Sequence, residues 1–145
     1  MTTVQEVFDA AIHLMDEQNE SSGATETQDT TPYKVRTINI LNVIIPSLYP
    51  YSDTYEAESV GPGKRPIPPK LQVANYREPD FAQAVPLDDG LAMGVLPYGL
   101  ASHLLAGENE ELAAFFSQRF AMALSEFREK IPASFEPIGL PYGLF

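Results

Sequence analysis

Proline restricts this chain more than any other residue. Seven of its thirteen prolines (Pro50, Pro62, Pro66, Pro68, Pro69, Pro79 and Pro86) fall between residues 50 and 86, together with Gly61 and Gly63. Proline has no amide hydrogen and its ring clashes with the preceding helical turn, so helices do not survive that density and any strand is short or at an edge. Leu71, Val73, Tyr76 and Phe81 are spread through the same stretch, which sets it apart from a purely solvated linker. A long aperiodic segment inside a single domain is usually functional. We read 50–86 as an extended arm, with room for a loose hairpin near 54–58 and 70–76.

Helical periodicity flanks this arm, in a chain whose 145 residues suit one domain, 1–145. Thr3 followed by Glu6 has the form of a capping box, and Val4, Val7, Phe8, Ala11 and Met15 recur at helical spacing, predicting a first helix over about 4–19. Its other face carries Glu6, Asp9, Asp16 and Glu17, which places it on the outside of a bundle. Residues 19–31 hold one apolar residue, Ala24, and read as a solvated acidic linker. Thr31-Pro32 is a suitable helix start, and Val35, Ile38, Leu41, Ile45 and Leu48 mark one face of a second helix over 32–48. The β-branched run TINILNVII leaves a strand open as an alternative, and Pro46 should kink or end the helix.

The helical signal returns after residue 86. Asp88 or Asp89 can cap a helix through Leu91, Val95 and Tyr98, with Pro97 imposing a kink or restart and Gly107 a stop after Leu104 and Leu105. Asn109 then caps a long helix with Leu112, Phe116, Phe120, Ala123, Phe127 and Ile131 on one stripe, ended by Pro132. The run from Gly90 to Gly107 has 18 residues without Asp, Glu, Lys or Arg, but its glycines, proline and acidic flanks favour a buried, broken helix pair over a membrane span. The tail 132–145 carries three prolines and one charge, Glu136. Its LPYGL at 140–144 repeats 96–100, with no match around the five residues, so it is not read as a duplication.

Charge and residue usage exclude several functions. The net charge is −11, concentrated at the two ends: residues 1–31 hold seven acids and no base. Such a surface repels a phosphate backbone at long range. The absence of cysteine removes thiol chemistry, disulfides and Cys-type zinc sites. No basic leader precedes the first helix, which predicts a protein retained by the cell that makes it.

Candidate sites each have a plain explanation. Asp9, His13 and Glu17 share a helix face, yet a metal needs ligands converging from more than one element, and His103 sits in an apolar run as an expected hydrogen-bonded interior residue. Gly61-Pro62-Gly63-Lys64-Arg65 departs from a phosphate loop where Glu58 replaces glycine and Arg65 replaces Ser or Thr. Asp88/Asp89 and Glu110/Glu111 stand at helix starts, where capping and the helix dipole account for them. No metal, cofactor or catalytic set is expected, and the chain reads as a non-enzyme. Lys64, Arg65, Lys70 and Arg77 gather four of the nine cations within fourteen residues, a basic arm able to dock on an acidic neighbour.

The run DDGLAMGVLPYGLASHLLAGENEELAAFFSQRF resembles the C-terminal helix pair of head-to-tail adaptor (connector) proteins of tailed bacteriophages and prophages. In that family a two-acid start, an LPYGLA-type helix, an acidic turn and an A-x-F-F-x-x-R-F/Y helix follow in this order. TVQEVFDAAIHLMDE and a second helix carrying ILN and ending at LYPYS agree in outline, so the resemblance covers most of the chain. It implies a mainly α subunit, a four-helix bundle with the arm between its second and third helices. Many copies would form a homo-oligomeric ring between the portal and tail or stopper proteins, in the virion and, during assembly, the host cytoplasm. DNA would pass through without sequence-specific binding, a negative wall letting it slide. Lys64, Arg65, Lys70 and Leu71 are then the expected arm contacts, and Tyr142, Leu144 and Phe145 the expected tail anchors, although the tail can equally fold back on its own bundle. Arm and tail would become ordered mainly on assembly. Alternatives are a phage tail-completion or terminator subunit and a cellular helical binding module.

Overall fold

Thr3 starts the first helix, α1 (Val4–Met15), as its sequence announces: the hydroxyl accepts from the Glu6 amide at 3.3 Å while the Glu6 carboxylate accepts from the Thr3 amide at 3.0 Å. A computed structural model describes residues 1–55, 68–73 and 78–130. The first amides of a helix have no partner within it, and here a distant stretch supplies two of them. The Val4 amide donates to the Gln83 carbonyl at 3.0 Å and the Gln5 amide to that of Phe81 at 2.9 Å. An isolated antiparallel bridge pairs Thr3 with Ala84, and no strand is present among the described residues.

α1 is shorter than its sequence suggests. It ends at Met15, where Asp16 turns left-handed at φ 59° and the Glu17 amide returns to the Ile12 carbonyl at 3.1 Å. Beyond Met15 the chain offers Asp16 to Glu20 with nothing apolar to bury, and the Asn19 carboxamide oxygen instead accepts the amides of Ser21 and Ser22. The linker is therefore exposed but shaped. Thr25 donates its hydroxyl to Asp9 at 2.6 Å, fastening the linker to α1.

α2 (Thr31–Leu48) forms across the β-branched run, so the strand alternative falls. Its cap lies one residue earlier than expected: Thr30 precedes the helix, and its buried hydroxyl turns back to the Thr25 carbonyl at 2.7 Å instead of capping forward. Pro46 is exposed and does not stop the helix, which runs to Leu48 and tightens into a 3-10 turn over Tyr49–Tyr51.

The charge-free run breaks as expected into two helices, α3 (Asp89–Gly94) and α4 (Leu96–Leu105), joined at Val95, with Pro97 in the first turn of α4. Asp88 caps α3 through the Leu91 amide at 3.0 Å, and its other oxygen takes the Asp53 amide at 3.0 Å. Asp89 accepts both the amide and the hydroxyl of Thr2, at 2.9 and 2.8 Å. The two acids thus tie the amino end, the 3-10 turn and α3 together. α4 is apolar on most of its circumference and sits at the centre, packed by α1, α2, α3 and the last helix, α5 (Glu110–Lys130). Leu96, Leu100 and Leu104 are fully buried beside Phe8, Ile12, Leu41 and Ile45.

Two expectations about α4 and α5, at His103 and Leu112, need correcting, and that at Gly107 holds in position. His103 is exposed, because Leu100, Ala101, Leu104 and Leu105 take the inner face. α4 does end just before Gly107, at Leu105 with Ala106 as its cap, but without a left-handed glycine turn, since Gly23 is the one described glycine with positive φ. Leu112 is exposed, and Ala113 takes its place in the inner stripe with Phe116, Phe120, Ala123 and Phe127.

Described parts of the proline-rich stretch reach the core. Leu71, Phe81 and Val85 belong to the core of the single chain. Phe8 and Phe81 meet with ring centroids 5.1 Å apart, and the Asn42 side chain grips both backbone groups of Leu71, at 2.9 and 3.1 Å. Half of the expected hairpin (56–58 and 74–76), and residues 131–145, lie outside the described residues.

Candidate interaction surface

Adjacent helical residues project about 100° apart, so the pair Phe115-Phe116 cannot share one face. Phe116 goes inward, and Phe115 is left 52% exposed with its ring edge against that of Phe116, centroids 5.4 Å apart. Met122, two turns on, is 51% exposed, and Leu112 is 39% exposed. Leu112, Phe115, Arg119, Met122 and Glu126 follow the alternating three–four spacing of a helix seam, one residue out of phase with the buried stripe. α5 therefore presents two neighbouring seams, of which one packs on its own chain.

The inner seam is seated by glycines. A Cβ built on Gly99 would lie 2.9 Å from Phe120 Cε1, so that ring uses space the glycine leaves, and one on Gly90 would make a tight 3.3 Å contact with Phe127 Cε1. Ser102 donates to the Ala113 carbonyl at 3.0 Å and fixes the register of α4 on α5. Toward the C-terminal end of α5 the contact with α3 opens into a cleft of about 310 Å³, lined by Gly90, Gly94, Val95, Ala123, Glu126 and Phe127. Its surface is mostly apolar, and Glu126 is its one polar side chain. Apolar seam and cleft adjoin on one helix, the kind of surface that marks an interaction site.

Charge around this surface is held in place. Arg119 lies over the Tyr98 ring at 5.5 Å and Arg128 over Tyr51 at 5.0 Å, so each cation braces α5 against another element. At the far end, the Tyr33 hydroxyl donates to Glu108 at 2.9 Å, and burial with that bond pushes its pKa up to about 12. Glu17 lies in the same acidic neighbourhood; burial first, then Glu108, Asp29 and Asp16, raises its pKa above the ordinary carboxylate value.

The expected contact residues separate. Lys70 is exposed, as docking requires. Leu71, one residue on, is 4% exposed and serves the core of its own chain, so it is not a free arm contact. Lys64, Arg65, Tyr142, Leu144 and Phe145 lie outside the described residues. Asp9 is occupied by Gln5 and Thr25, and no group of three side chains that could hold a metal gathers among the described residues. None of the described helices is long and apolar enough to cross a membrane. Sequence reasoning passed over Phe115 and Met122, although the doubled phenylalanine was the available signal: one ring of such a pair must leave the stripe. No family model, curated protein or solved structure matches this chain.

Proposed function

We propose that the chain is a non-enzymatic structural subunit of a phage virion, a ring-forming adaptor between portal and tail. The observation that carries this reading is the exposed Phe115/Met122 seam beside the α3/α5 cleft. It lies on the helix pair whose sequence resembles the adaptor family, and it is a surface that repeated subunits can share. In this reading the helices form a four-helix bundle, α3 and α4 counting as one broken member. The proline-rich segment is the arm, reaching a neighbour through Lys64, Arg65 and Lys70, while Tyr142, Leu144 and Phe145 anchor the tail. The acidic surface lets DNA pass without being held. A small-molecule module fits less well, since the cleft is at the small end of ligand pockets and offers one polar side chain, Glu126.

Electron microscopy of lysates from a phage lacking the gene tests this. The expected outcome is separate heads and tails, joined again when the gene is supplied, and not when it carries Phe115→Ser with Met122→Ser. Normal tailed particles without the gene overturn the reading.

A further inference from the structure

We propose that the pairing of residues 2–5 with residues 81–85 controls how firmly Leu71-Gln72 stays docked on α2, with Gln83 as the coupling residue. The inference does not depend on the head–tail role. Residues 71 and 72 lie in no helix or strand, so their backbone groups have no ladder to join. Two side-chain carboxamides take its place. A carboxamide carries both an acceptor and donors, and can pair with the two groups of a peptide as a neighbouring strand does. Asn42, on α2, does this for Leu71, accepting from its amide at 2.9 Å and donating to its carbonyl at 3.1 Å. Gln83 does it for Gln72, at 2.8 and 3.1 Å.

The two carboxamides are not held alike. Asn42 is fixed by the helix that carries it, whereas Gln83 lies outside any helix. Its Nε2 also donates to the Asp80 carbonyl at 2.8 Å, but its backbone is placed by the amino-terminal residues. The Val4 amide donates to the Gln83 carbonyl at 3.0 Å. On either side of that bond the Gln5 amide donates to Phe81 at 2.9 Å and the Val85 amide to Thr2 at 2.8 Å. Thr2 is in turn held through its amide and hydroxyl by Asp89, the first residue of α3. A series of bonds thus runs from Asp89 through Thr2 and Val85 to Gln83, and on to Gln72.

The element that responds has two arrangements, with Leu71 buried in the core or withdrawn from it, as coupling between distant points requires. Phe81 and Val85 stay anchored by burial when the pairing loosens, so what changes is where the Gln83 carboxamide stands. A hydrogen bond weakens steeply once its alignment is lost, and both bonds to Gln72 come from this one group. Coupling of this kind is reciprocal. A partner that engages residues 2–5 is therefore felt at 71–72 without touching it, and a pull on 71–72 loosens the start of α1.

Amide hydrogen exchange at Leu71 reads the docking, because its acceptor on Asn42 is left intact by substitutions elsewhere. Gln83→Ala removes two bonds and should speed that exchange about tenfold. Asp89→Ala acts from the far end: Asp88 still caps α3, while Thr2 loses both of its bonds. Exchange at Leu71 should then rise several-fold, with Leu100 in α4 unchanged. In the Gln83→Ala chain, Asp89→Ala should add nothing, since the residue it acts through is gone. No effect of Asp89→Ala at Leu71 overturns the proposal. So does an equal effect with and without Gln83, which puts the route elsewhere, or an equal rise at Leu100, which makes the change one of global stability. None of these readouts involves a phage function, so failure here leaves the head–tail experiment to be judged separately.

Discussion

Asp16 adopts a backbone conformation that costs most side chains about 1 kcal/mol or more. It is tolerated because aspartate's short polar side chain bonds locally, here with Gln18 Nε2 at 3.1 Å. Glycine takes the same conformation freely but loses more entropy on folding. Asp16→Gly also removes one of the charges that press on Glu17. The expected net result is a gain of about 0.5 kcal/mol, and Asp16→Ala should lose about 1 kcal/mol; urea denaturation at pH 7 checks both signs. Residue-scale features of this kind divide cleanly by legibility. The Thr3/Glu6 box and the Asp88 cap were readable because donor and acceptor lie three residues apart. The αL turn at Asp16 was not, because it is set by where burial stops and not by a stop residue. Leu71 misled for the opposite reason: its burial depends on Asn42, 29 residues away, and no periodicity announces such a contact.

At the scale of elements, α4 and α5 carry the strongest single constraint. Gly99 lets the Phe120 ring approach so closely that a Cβ would stand 2.9 Å from Cε1 and 3.3 Å from Ile44 Cδ1. Gly99→Val should therefore cost roughly 1–3 kcal/mol through overpacking, despite valine's better helix propensity than glycine's. In a Phe120→Ala background the same substitution should cost about 1 kcal/mol less, since neighbours in contact are not additive. A double-mutant cycle by denaturation measures the difference. The helices themselves were largely legible, because their apolar residues repeat every three or four positions and capping groups stand at their starts. The second seam of α5 was harder to see. A helix with apolar residues on more than half its circumference has no unique inward face until a partner is placed, and the choice of Ala113 over Leu112 is made by α4.

For the whole molecule, the excess of acid over base gathers carboxylates from separate elements around Glu17. Asp16 closes α1, Asp29 lies in the linker and Glu108 in the turn before α5. A carboxyl whose folded pKa is raised binds its proton more tightly folded than unfolded, so its penalty is relieved as pH falls through that raised value. The stability of the wild-type chain should rise from pH 7 to mildly acid conditions, and Glu17→Gln should capture that gain at pH 7 and flatten the rise. Added salt should act in the same direction by screening. Asp89 sets the opposite limit. Its bonds from Thr2 hold its pKa below the ordinary value, so what it contributes is present above the carboxylate range and lost in stronger acid. Urea midpoints between pH 3 and 8, with and without Glu17→Gln, test both arms.

The link between the amino end and residues 81–89 has a consequence for the order of events during synthesis. Val4 and Gln5 emerge from the ribosome well before Gln83 and Phe81, whose carbonyls accept from their amides. At a translation rate of 5–20 residues per second those partners follow roughly 4–16 s later. The start of α1 is thus locked only after residues 81–83 have been made. A nascent chain halted before residue 81 leaves Phe8 without the Phe81 ring that packs on it, an apolar surface of the kind that chaperones bind.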